Sequence, residues 1–559
     1  MSNKSDRIII KNGLIFDPLL KIKGEKKDIL IEKGIIVEKF SSNNNIKEIN
    51  AENKTVIPAA IDIHTHIASQ QINWVRLLGK ENKEFQKNWE GLTLRYIARN
   101  YISNGYTFIT EANVYPSLSK QTIFNFINLP VLDKAMLLNL GNFWPLEFEF
   151  EKGKIDEISY FLSDLLSKCK GFGIKAYNPF EGEIWNLNTL RENIKEKGKL
   201  YNFTAIDVYK HLIYSIEKLD LPHSIHCHIE GYEHIEAKDN LNILLEELAK
   251  IKIDRIDSSR FKREQICHLA HANSLNMDGD NTDLIKFLNN NKNVDLDLAF
   301  IGFDEINPII TSDRRFITNY KDSSGKFNKI IINSNESEGD SYTGFRKFSK
   351  SNYNDCILWS NSIDLALNIK NKWQVQFSLN FPHYSHVNKI PKIASWLLSK
   401  EARKIFMEDM DNKYLKISSI FNNDNVLDFN DYIIITRASP AKSLGLTKYK
   451  GNLDVGTDAD INILDIDITK IDSNRDFKSI EKAFENIEYV IKNGNIVKKG
   501  DKIFLGYEGK IFWAEGKIYS QEDKLRVVSK KSEFYQKYYS YFYNMLENNV
   551  NKDFLKKII

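Results

Sequence analysis

Between residues 56 and 382, eight short apolar runs recur with longer helix-like stretches between them. They are VIPAAIDIHTHIA, YTFITEANVYP, AMLLNLGN, GFGIKAYNPF, HSIHCHIEG, QICHLAHAN, NVDLDLAFIG and QVQFSLNFP. Strands that alternate with helices pair in parallel, and eight of them suffice to close a (β/α)8 barrel, so the spacing predicts an α/β chain built on a TIM barrel. Most runs end in His, Lys, Asn or Glu. In such barrels the reacting groups stand at the C-terminal ends of the strands, which is where these polar residues fall.

The two ends of the chain read differently. The opening IIIKNGLIFDPLLKIKGEKKDILIEKGIIVEKF is a series of β-rich runs broken at Asn12-Gly13, Gly24 and Lys33-Gly34, residues that favour hairpins. GNLDVGTDADINILDID and YVIKNGNIVKKGDKIFLG repeat that character, with a further turn at Asn493-Gly494. The expected organisation is a small β-sandwich domain formed by both chain ends (1–57 and 447–520), the barrel (58–446) and a C-terminal helical tail (521–559).

Composition excludes several function classes. Lys+Arg (78) and Asp+Glu (75) leave a net charge of +3, and the charges are interspersed, so no nucleic-acid partner is expected. Cys169, Cys227, Cys267 and Cys356 are widely spaced and form no CxxC pair, which points away from disulfides and iron–sulfur clusters and suits a reducing cytoplasm. No segment offers the ~20 unbroken apolar residues of a membrane span. The opening MSNKSDRIIIKNG carries no apolar targeting core.

His64 and His66 are two apart on an apolar strand, so both imidazoles point to one side and can reach one ion. His226 and His228 repeat the spacing, and His268 and His271 follow on the next run; in each of these pairs one member is expected to bind metal and the other to support it. Lys175 sits in an apolar run where an unpaired ammonium is costly, so it needs a partner or a modification. A carbamate formed with CO2 would give it two oxygens able to bridge metal ions ~3.5–4 Å apart.

VIPAAIDIHTHIA, the strand-four Lys175 and ITRASPAKSLGLTKYKGNLDVGTDADINILD resemble the amidohydrolase superfamily. LPHSIH, GIKAYNP, IINSNESEGDSY and FYQKYYS resemble, within it, the A subunit of formylmethanofuran dehydrogenase and of the bacterial formyltransferase/hydrolase complex. The resemblance implies cleavage or formation of the formyl-amide bond of formylmethanofuran, in one-carbon metabolism, at a two-zinc site. It implies an N6-carboxylated Lys175 as bridging ligand, with His64, His66, His226, His228 and His271 available to metal. It also implies B-, C- and D-type partner subunits.

The resemblance breaks at the strand-eight aspartate, which binds metal and shuttles the proton. Where the family reads Thr-Thr-Asp-x-Pro-Asn, this chain reads Ser378-Leu379-Asn380-Phe381-Pro382-His383, and a carboxamide has no titratable proton at neutral pH. The pocket stretches His228–Glu230 and Ala272–Gly279 also depart from the family. Three readings follow. The chain is an active formyl-amide hydrolase in which Glu230, His228 or His383 compensates for Asn380, a non-catalytic A-type subunit that scaffolds the complex, or a cyclic-amide hydrolase.

Overall fold

The computed structural model describes residues 7–187, 191, 193–253, 259–261, 263–313, 331–335 and 339–558. All eight apolar runs are strands of one parallel barrel: Ala60–Thr65, Tyr106–Val114, Asp133–Asn139, Gly173–Tyr177, Ile225–His228, Cys267–Leu269, Val294–Asp297 and Val375–Gln376. Both faces of these strands are covered, which is why their sequences are nearly continuous apolar runs rather than alternating ones. The ring closes where Thr65 bridges Phe381 and the His66 N–H donates to the Phe381 carbonyl at 2.6 Å.

Both chain ends join in one mixed nine-stranded sheet, in which Thr55–Pro58 from the N-terminal part pairs with Ile461–Leu464 from the C-terminal part. The small β domain expected from both chain ends is thus formed by strands of both. Lys33-Gly34 and Asn493-Gly494 are two-residue hairpin turns with positive φ at both positions. Asn12-Gly13 and Gly24 are not hairpins: they sit at register shifts inside the long pair Arg7–Asp17 and Ile22–Glu32, as bulges that bend the strands. Gly13 is required there by contact, since a Cβ would stand 2.6 Å from Val56 Cγ2.

The last segment rejoins the barrel. Ile511–Ala514 pairs with the N-terminal end of the third barrel strand and Leu555–Ile558 pairs with it in turn, so the region after 520 is a helix, Gln521–Tyr538, followed by a returning strand. After the seventh barrel strand an antiparallel sheet is inserted (Ile306–Thr311, Ile331–Asn335 and Gly339–Lys347). Glu336–Glu338, in the stretch quoted above, lie outside the described residues. Among the described residues no helix is long and apolar enough to cross a membrane.

Barrel and end sheet are locked together by a buried ionic cluster. Lys450 Nζ lies 2.7 Å from Asp133, 2.7 Å from Asp460 and 2.9 Å from Asp458, and Lys492 adds a second cation 2.8 Å from Asp133. Against the cost of burial, Lys450 and Lys492 hold Asp133 well below the usual carboxylate range, and the three aspartates keep Lys450 charged far above its ordinary pKa. Removing one partner of such a group strands the others without compensation. Lys450→Met should therefore destabilise the protein by about 3–5 kcal/mol, read as a lowered urea midpoint. A midpoint equal to wild type would show that the cluster does not hold the two parts together.

Candidate metal centre

Parallel register places the polar residues of successive strands side by side. Asn139 pairs with Lys175, Lys175 with His226, His226 with His268 and His268 with Asp295, so five buried polar residues form one row across strands three to seven. His64 completes the group from strand one: its Nε2 is 3.2 Å from His66 Nε2, its Nδ1 3.0 Å from Asp297 Oδ2 and 3.1 Å from His226 Nε2.

These separations suit ligands of one ion. Nitrogens ~2.0–2.1 Å from a tetrahedral zinc stand ~3.3 Å apart, close to the spacings seen here. Two arrangements are compatible with them. In one, His64 and His66 offer Nε2 and the Nδ1–H of His64 is oriented by Asp297, as carboxylates commonly orient metal-binding imidazoles. In the other, His64, His226 and Asp297, whose ligand atoms lie within 4.8 Å of one another, hold the ion themselves.

The remaining histidines divide by their partners. His268 is tied by Nδ1 to Asp295 (2.9 Å) and by Nε2 to Asp297 (3.2 Å). Burial opposes its charge, but the two carboxylates outweigh it and raise its pKa to about 9, and both ring nitrogens are engaged by them. His271, in a left-handed backbone conformation, turns Nδ1 to Ser274 Oγ at 3.0 Å. His228 gives Nδ1 to Asn178 Oδ1 at 2.7 Å and stacks on Tyr177.

Desolvation dominates the electrostatics. It lowers His64 to about 3 and holds His66, His226, His228, His271 and His383 well below the ordinary imidazole value, leaving them neutral as metal ligands must be. Burial likewise lowers Lys175 to about 7, and among the described residues its Nζ forms no ion pair. Glu111, also raised by burial to about 7, accepts from the backbone N–H groups of Ile67, Ala68 and Ser69 and lies 3.5 Å from His66 Nδ1, fixing the segment that carries His66.

His66, Lys175, His228, His271, Asn380 and His383 line one pocket at the C-terminal mouth of the barrel, with His64 and His226 buried beneath. Asn380 takes a left-handed conformation, and its carboxamide stands beside His66. His383 stacks on His66 with ring centroids 4.5 Å apart, and among the described residues its buried Nε2 has no hydrogen-bond partner. Glu230 is not among the lining residues: its carboxylate accepts from Arg191 Nη2 at 2.7 Å within a buried pair. The residues that sequence reasoning passed over are Asp297, Glu111 and Asn178. Asp295 and Asp297 in NVDLDLAF carry the same two-residue spacing that marks His64 and His66, and that was the available signal.

The amidohydrolase family model matches residues 353–498, from the helix before the eighth strand into the end sheet. Protein FwdA of Methanocaldococcus jannaschii is 28% identical over 496 residues, covering 85% of each chain. The A subunit of the formyltransferase/hydrolase complex Fhc of Methylorubrum extorquens is 23% identical over 467 residues, 81% of this chain and 83% of that one. The crystal structure of the FhcABCD complex from Methylorubrum extorquens with methylofuran contains a chain that superposes with a TM-score of 0.85 over 99% of both chains at 19% identity. The chain has an amidohydrolase-type barrel fold and is similar over most of its length to FwdA and to the A subunit of the Fhc complex.

Proposed function

We propose that this chain is the A-type subunit of a formylmethanofuran dehydrogenase or formyltransferase/hydrolase complex, and that it hydrolyses or forms a formyl-amide bond at a two-zinc site. The observation that carries the proposal is the convergence, at one barrel mouth, of neutral imidazoles with a lysine whose pKa is lowered to about 7. Carbamate formation needs a neutral amine: the Nζ lone pair attacks CO2 and a proton leaves. At neutral pH a substantial share of Lys175 is already in that form, whereas an exposed lysine is not.

His64, His66, His226, His271 and the Lys175 carbamate would hold the ions, with His228 and Asp297 as further donors. When bound, zinc supplies Lewis-acid polarisation of the formyl oxygen and a water acidic enough to ionise near neutral pH. The protein's own part is to exclude bulk water, orient the amide and move one proton from the attacking water to the leaving amine. Asn380 offers no proton. Glu230 is committed to Arg191, which leaves two imidazoles of the pocket to carry it, His383 and the Nε2 of His228, whose Nδ1 is held by Asn178. The B-, C- and D-type subunits would be its partners. Asn380 also favours a second reading, in which the chain retains the metal centre and assembles the complex without turnover.

Protein loaded with zinc and bicarbonate should hold close to two zinc ions per chain, and Lys175→Ala should lose one or both while short carboxylic acids partly restore them. Elemental analysis decides this, and Lys175→Ala with wild-type zinc content would exclude the carbamate. Asn380→Asp should raise formyl-amide hydrolysis, with ~10²–10⁴-fold as the usual worth of a general acid–base group. Wild-type activity that falls on this substitution would instead show a pocket retuned around the amide, with His383 and His228 as the residues to replace next. If both proteins bind zinc and neither acts on a formyl amide, the substrate assignment fails.

A further inference from the structure

The side-chain amide of Asn178, just beyond the fourth barrel strand, is held in one orientation by two carboxylates. Its Nδ2 lies 3.1 Å from Glu181 Oε2 and 3.0 Å from Asp313 Oδ2, and both acids are buried. Both N–H groups of the amide are thus used. A flipped amide would set its oxygen against two carboxyl oxygens, one of which, Asp313 Oδ2, already accepts from the Gly231 N–H. The orientation of an Asn amide is ordinarily a matter of assignment; here the surroundings decide it.

The fixed Oδ1 lies 2.7 Å from His228 Nδ1. A carbonyl oxygen cannot donate, so Nδ1 must carry the hydrogen, and a neutral imidazole protonated at Nδ1 has its lone pair on Nε2. A flip of the His228 ring would keep its stack on Tyr177, with centroids 4.1 Å apart, but would set a C–H in place of Nδ1 against Asn178 Oδ1 and lose that bond. We infer that Asn178 is a positioning residue that fixes the tautomer of His228, presenting a bare Nε2 to the pocket, and that Asp313 and Glu181 lock Asn178 in the orientation that does so.

Asp313 follows the first strand of the sheet inserted after barrel strand seven, and its Oδ2 also accepts from the Gly231 N–H at 2.8 Å. Two residues earlier, Thr311 Oγ1 lies 3.1 Å from Tyr177 Oη and 2.6 Å from Tyr232 Oη. The insertion thus clamps the segments after strands four and five, and it reaches His228 through one amide. The use of the bare Nε2, as a metal ligand or as an acceptor toward substrate, rests on the function proposed above; the tautomer does not.

The test uses the metal-free full chain with ¹⁵N-labelled histidine. Long-range proton–nitrogen correlation spectra distinguish the two tautomers, and the His228 signals are identified by their loss in His228→Gln. The expected wild-type pattern is a protonated Nδ1 and a bare Nε2. Asn178 has φ 33°, a left-handed conformation that glycine adopts freely, so Asn178→Gly removes the amide and keeps the backbone. It should give mixed tautomers at His228 and weaken zinc binding by about 10–100-fold, the usual effect of losing such a support. A bare Nδ1 in wild type, or an unchanged tautomer in Asn178→Gly, overturns the inference. A wild type that shows the expected tautomer yet binds no zinc would instead remove the metal-centre reading and leave the role of Asn178 in place.

Discussion

The site depends first on the register of a parallel sheet. Because paired residues on neighbouring parallel strands point to the same side, the pairing Asn139–Lys175–His226–His268–Asp295 turns five separate sequence positions into one buried row. A slip of one residue in any of these pairings would send every side chain of that strand to the opposite face. The rest of the architecture holds that register: the Thr65–Phe381 bridge closes the ring, and the Lys450 cluster fixes the far end of the barrel to the end sheet.

Burying so many nitrogen atoms together has an electrostatic consequence. A charged imidazole among other imidazoles and a lysine would be penalised by desolvation and by its neighbours, so the group stays neutral and its lone pairs are available. His268 is the exception because Asp295 and Asp297 flank it. The same burial that would make Lys175 a liability as an ammonium makes it reactive as an amine. The protein has thus collected donors and removed their protons, which is the condition a metal centre requires.

Much of this was legible in the sequence. The eight apolar runs are the eight barrel strands, because a strand buried on both faces writes a continuous apolar signature, and the spacing of His64 and His66 carried over into side chains that touch. What was not legible depended on distant partners. Glu230 looked available until Arg191, 39 residues away, took its carboxylate. Asn12-Gly13 has the composition of a hairpin, but the strand runs through it and bulges, since Val56 packs where a Cβ would be. Asp297 was hidden inside a run that reads first as a strand, and its role appears only when barrel closure brings strand seven to His64.

A two-zinc centre bridged by Lys175 at this barrel mouth has a distinctive signature in anomalous diffraction at the zinc edge, from crystals grown with zinc and bicarbonate. The expected pattern is two peaks ~3.5–4 Å apart among His64, His66, His226 and His271, with density for a carboxylated Lys175 between them. No peak at the barrel mouth, or ions held only elsewhere on the surface with Lys175 an unmodified lysine, would refute the two-zinc reading.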